Sequence, residues 1–282
     1  MTQQTPPRII EKHRLSLAKQ RARTRLADKP GADFLLRQIG DDLSLRLSVV
    51  QRAFEKVLLI APSHAALVEP VKEKAVGELH YLDEQHMHDD TLDTNGRDFD
   101  LIVSVGQLHL IDDVPGMLTQ MRMLLRPDGL MLACVPGAAT LNSVRTAWID
   151  AEATMTGGVA SRFMPLFDVR SSGALLQRAG YALPVIDSEE IDVSYRDVRS
   201  IFADLRSMAG GNVLLLGQGH SIKRAVWNEF NQKVDETRDQ DGKLRATFEL
   251  IWMSGWAPSA DQPTPLEPGS AQVSLTKILK SS

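Results

Sequence analysis

Three short stretches hold the residues best suited to chemistry. The first is "IAPSHA" at 60–65, where Ala61, Pro62, Ser63 and His64 follow a run of aliphatic residues. A turn after a buried strand is where parallel sheets bind ligands, and glycines there let the backbone approach a ligand with no Cβ in the way. No residue of this turn is glycine, and Pro62 also removes a backbone donor. The second stretch is "GQLHL" at 106–110, with Gln107 and His109 just after the apolar run "DLIVSV" at 100–105. A histidine at the carboxyl end of a central strand can act as acid, base or substrate contact. A structural histidine bonded to backbone is an equal reading. The third, "HYLDEQHMHDD" at 80–90, holds His80, His86, His88, Asp83, Glu84, Asp89 and Asp90. His86 and His88 would share one face of an extended chain and suit a metal. A solvated acidic loop is the plainer reading, and no metal is expected.

Other chemistries lack their residues. There is no Gly-Lys-Ser/Thr phosphate loop and no Gly-x-Ser-x-Gly nucleophile turn. Cys134 is the only cysteine, so neither a disulfide framework nor a cysteine metal site can form within the chain. A net charge of -4 argues against nucleic acid as a partner, because phosphate binding needs a concentrated excess of Lys and Arg. Only residues 8–25, "RIIEKHRLSLAKQRARTR", break that balance, with seven basic residues against Glu11. This arm reads as a solvated helix, a presequence, or a helix that docks on a partner or a membrane surface. No apolar run reaches the length of a membrane span. The expected location is the cytoplasm, with peripheral membrane contact through the arm.

These residues need elements to position them. "ADFLLRQIGDDLSLRLSVV" spaces Phe34, Leu35, Ile39, Leu43 and Leu47 as an amphipathic helix. Residues 57–61 and 100–105 read as strands buried on both faces. Residues 112–125 form a helix opened by Asp and Pro; "RPDG" is a turn with Gly129 at positive φ; and 130–135 is the next strand. A helix at 171–180 ends on Gly180, "LPVID" is a short strand, and "ATFELIWMSGW" is the last one. Between them, 188–245 reads as a mainly helical insertion. Trp252 and Trp256 are core residues in that last strand, with a recognition surface as the alternative. The expected fold is α/β: a mostly parallel, doubly wound, Rossmann-like sheet with N-terminal helices. The expected divisions are an arm with helices at 1–56, a main domain at 57–256 and a tail at 257–282.

The stretch "FDLIVSVGQLHLIDDVPGMLTQMRMLLRPDGLMLACVPGAATLNSVR" at 99–145 resembles class I S-adenosylmethionine-dependent methyltransferases. Within them it is most similar to the alphaproteobacterial and mitochondrial complex I assembly group, and the resemblance runs on through 157–212 and 246–275. That group includes an arginine hydroxylase acting on a complex I subunit; related members methylate a malonyl thioester. The resemblance implies S-adenosylmethionine as cofactor and a protein substrate, a respiratory complex I subunit. Its cofactor contacts would fall on Ala61, Pro62, Ser63 and His64 at the glycine turn, on Asp83 and Glu84 after a strand, and on Gln107 and His109. The family's acids follow strands two and three, whereas 57–101 has room for fewer elements. Asp83 and Glu84 match the later acids better, with Asp83 as the ribose acid in a second alignment. The missing glycines and a missing acid imply a degenerate cofactor site. Two functions follow: an S-adenosylmethionine-dependent enzyme, or an assembly protein that keeps the fold without the cofactor.

Overall fold

The computed structural model describes residues 7–28, 31–82, 87–88, 90–92, 94, 96, 98–217 and 221–262, with only the backbone at 87 and 88. In chain order the elements are α1 (Lys12–Asp28), α2 (Phe34–Val49), β1 (Phe54–Ile60), α3 (Ala65–Lys74), β2 (Ala75–Leu82) and two short strands, β3 (Met87–His88) and β4 (Thr91–Leu92). There follow β5 (Phe99–Val105), α4 (Val114–Leu124), β6 (Leu125–Pro136), α5 (Asn142–Thr156), α6 (Val169–Arg178), β7 (Ala182–Tyr195), α7 (Val198–Ser207), α8 (Arg224–Asp235) and β8 (Leu244–Trp256).

Six strands form one sheet in the order β2-β1-β5-β6-β8-β7. The first four are parallel, and β8 and β7 are antiparallel to their neighbours. The continuous apolar runs of β1 and β5 have the buried-strand form because both faces are covered. Val57 and Leu59 pack with α2, α3, α5 and α8, while Leu58 and Ile60 pack with α4 and α6. The 57–101 region holds one full strand, β2, which pairs with β1 so that Ile60 faces Leu82. The small β3–β4 hairpin follows it before β5. In sequence, Asp83 comes directly after β2, the strand beside β1, and lies outside the described residues.

Gly40 of α2 allows α3 to lie close, since a Cβ there would stand 2.2 Å from the carbonyl oxygen of Ala66. This contact sets the position of α3 and the turn before it.

Two local expectations are corrected. Residues 188–195 are not helical but continue β7, with Ile191, Val193 and Tyr195 facing the core alternately with exposed Glu190, Asp192 and Ser194. Among the described residues the helical part of the excursion is α7, a 3-10 turn at Leu215–Gly217 and α8, and 244–245 already belong to β8. In "RPDG" the left-handed residue is Asp128 at φ 60, and Gly129 is not among the positive-φ glycines. Aspartate tolerates this conformation, and Asp128 is held there by Arg52 and Gln262. The expected boundary between 56 and 57 falls inside β1.

Candidate functional site

The carboxyl ends of β1 and β5 meet a crevice bounded by the turn at 61–64 and by Gly106 and Gln107. Ala61 is fully buried. Its carbonyl accepts a 3.0 Å hydrogen bond from Tyr81 Oη, and its N–H reaches Leu82 O at 3.4 Å. His64 is the N-cap of α3: Nδ1 accepts from the Ala66 N–H at 3.3 Å, and Nε2 lies 3.3 Å from an Asp33 carboxylate oxygen. The turn is thus tied down by its own backbone and by a capping histidine.

The crevice is roofed by the arm. Leu15, Lys19 and Ala22 are the buried residues of α1, lying along one helical stripe. Lys19 retains 9% of its exposure, and its Nζ donates at 2.9 Å to Oε1 of Gln107, itself 2% exposed. Ser207, Met208 and Ala209, at the end of α7, close another side. Between these walls, among the described residues, lies a partly open cavity of about 60 Å³, room for a few waters.

The start of the arm is anchored as well. The N–H groups of Ile9 and Ile10 donate to Asp112 Oδ1 at 2.9 and 3.0 Å. Lys12 Nζ lies 2.5 Å from Asp90, whose other oxygen accepts the Asp112 N–H at 2.7 Å. Glu11 N–H donates to Val213 O, and Leu215 N–H to Ile9 O.

His109 lies on the single 3-10 turn Leu108–Leu110 after β5. Burial, then the nearby Lys19 charge, lower its pKa to about 4, so the imidazole is neutral near pH 7. Its Nδ1 is buried with no hydrogen-bond partner among the described residues.

The fold therefore brings together Pro62, Ser63, His64 and Gln107 around the cavity, with Ala61 behind the turn. His109 lies close by without lining it. Asp83 and Glu84 lie outside the described residues, as do His86, Asp89 and the side chain of His88. His80 pairs with Glu78 at 3.1 Å and packs edge-on against Phe99. Among the described residues no group of three or more His, Cys, Asp or Glu is placed to hold a metal. Burial pushes the Cys134 thiol up. Trp252 is a core residue under the Arg46 guanidinium, 4.7 Å from its ring centroid.

Sequence reasoning missed Lys19 as part of this crevice, and Asp90 and Asp112 as anchors of the arm. A signal was available for the first: Lys19 interrupts the helical stripe of Leu15, Ala22 and Leu26.

A mostly parallel sheet with a crevice beyond the carboxyl ends of β1 and β5, covered by helices on both faces, defines a Rossmann-like methyltransferase architecture. Residues 40–184, just over half of the chain, match the family of the methyltransferase domain, and the chain belongs to that family. It is 27% identical over 90% of its length to the mitochondrial arginine-hydroxylase NDUFAF5 of Danio rerio, covering 85% of that protein. To the Homo sapiens NDUFAF5 it is 33% identical over 64% of this chain and 53% of the relative. A solved structure from Bacillus halodurans assigned as a methyltransferase superposes with a TM-score of 0.51 at 10% identity, covering 77% of this chain and 99% of that one.

S-adenosylmethionine is the cofactor of the class I methyltransferases this chain resembles, so its fit is a physical question. A ligand of its size occupies a pocket of roughly 300 Å³ or more, against a cavity of about 60 Å³ here. The turn offers a proline and three Cβ-bearing neighbours where backbone must come close. Lys19 already projects a positive charge toward Gln107, while the cofactor's sulfonium is positive as well. Among the described residues the turn and Lys19 narrow the place for the cofactor, and two of its expected contacts, Asp83 and Glu84, lie outside them.

Proposed function

We propose that this protein serves the assembly of respiratory complex I by engaging one of its protein subunits. The observation that carries this reading is the extent of the similarity to mitochondrial arginine hydroxylases. It spans 90% of the chain, well beyond the 40–184 match. The closed crevice supports a role by binding. A second reading, turnover on a protein arginine, is supported by the name its relatives carry. On either reading the exposed Arg14, Arg21 and Arg25 along α1 offer a peripheral contact with an anionic inner-membrane surface from the cytoplasmic side. No helix among the described residues is long and apolar enough to cross a membrane.

The test is deletion of the gene in its host, followed by native gels of the respiratory complexes and mass spectrometry of complex I subunits. Loss of assembled complex I, restored by the intact chain, is the expected result. Full assembly without the chain overturns the role. An arginine that loses the mass of one oxygen on deletion selects turnover; unchanged arginines select binding.

A further inference from the structure

We propose that the crevice is held shut by the chain itself, with α1 acting as an internal ligand whose Lys19 ammonium occupies the place of a diffusible cofactor. The proposal rests on the closed crevice and not on the respiratory partner, so a chain with no effect on complex I assembly leaves it standing.

Three observations converge on it. Lys19 enters a cavity lined by the β1–α3 turn and the end of β5, Pro62, Ser63, Gly106 and Gln107 among its walls. Packing alone would be served by an apolar side chain at that point of the stripe. A buried ammonium loses hydration and requires acceptors, and Gln107 Oε1 supplies one at 2.9 Å. Gln107 is nearly inaccessible, so its amide is committed to the interior.

The second observation is that α1 is fastened independently at its start. Asp112 takes the two N–H groups of Ile9 and Ile10, Asp90 takes Lys12, and Ile10 bridges Leu214 as a strand pair. A helix tethered by backbone bonds and a buried carboxylate is positioned as specifically as any core element. The third is the sign of the charge. Lys19 and a sulfonium would repel one another if both stood in the crevice.

Two measurements on the full chain test this. In the native protein, amine acetylation read by mass spectrometry should label Lys19 at least an order of magnitude more slowly than exposed Lys72, and label both alike after denaturation. Equal native rates overturn the proposal. In Lys19→Ala, n-butylammonium should raise the melting temperature, whereas n-butanol should not, and neither should move the wild type. A variant that gains nothing from butylammonium, or a wild type that gains equally, overturns it. Lys19→Met, which keeps the stem and deletes the charge, serves if the alanine variant does not fold; its Gln107 amide should exchange faster than in the wild type. Unchanged exchange in that variant counts against the proposal.

Discussion

The two ends of β5 treat buried polar groups in opposite ways. At the amino end, Asp100 is 5% exposed and its carboxylate is saturated: Oδ2 accepts the N–H groups of Glu55 and Lys56, each at 2.9 Å, and Oδ1 accepts Arg126 at 2.9 Å. It bridges the irregular step in β1 where the pairing register shifts. At the carboxyl end, His109 is neutral and its Nδ1 has no partner among the described residues, beside an ammonium from α1. Saturation at one end marks a structural clamp. At the other end the buried polar groups are met by α1, through Lys19 and Gln107.

Substitution of Asp100 by alanine should have the largest effect. It leaves Arg126 and two backbone donors without their acceptor, which costs about 3 kcal/mol of stability, read as a lower urea midpoint at unchanged slope. A loss below about 0.5 kcal/mol would show that the clamp is ornamental.

The carboxyl end should show itself in pH. His109 has a folded pKa near 4 against about 6.5 in an unfolded chain, so between those values the unfolded state binds the extra proton. Stability from this group is complete above pH 6.5 and is lost as pH falls through 4, by about 3 kcal/mol in total. His109→Gln should flatten that part of the profile. Glu189 works in the opposite sense: its neighbour Asp42 and burial raise its pKa to about 6. Its contribution is present at low pH and declines between about 4.5 and 6, so the two variants His109→Gln and Glu189→Gln separate the slopes.

The smallest effect is expected at the turn. Tyr81→Phe removes the hydrogen bond to the Ala61 carbonyl, costing about 1 kcal/mol and leaving the secondary structure by circular dichroism intact. A larger loss would mean that Tyr81 supports more than the turn.

Much of this is legible in the sequence. The runs 57–61 and 100–105 read as buried strands because, Asp100 and Ser104 apart, every residue is apolar. Residues 188–195 mislead because their acids suggest a solvated helix continuous with the one at 198. The period-two set Ile191, Val193 and Tyr195 is present but overshadowed. The arm is harder still. Its arginines make it look solvated, and the stripe of Leu15, Ala22 and Leu26 that Lys19 interrupts is the local sign that this face turns inward. No local pattern says that a lysine at 19 will meet a glutamine at 107, since that pairing depends on how α1 is tethered at Asp112.

Whether the crevice is occupied by the chain itself is the central question, and calorimetric titration of the intact chain with S-adenosylmethionine and S-adenosylhomocysteine answers it directly. A self-occupied crevice predicts no heat and no thermal stabilisation with either ligand at millimolar concentration. Micromolar binding of either one would contradict it.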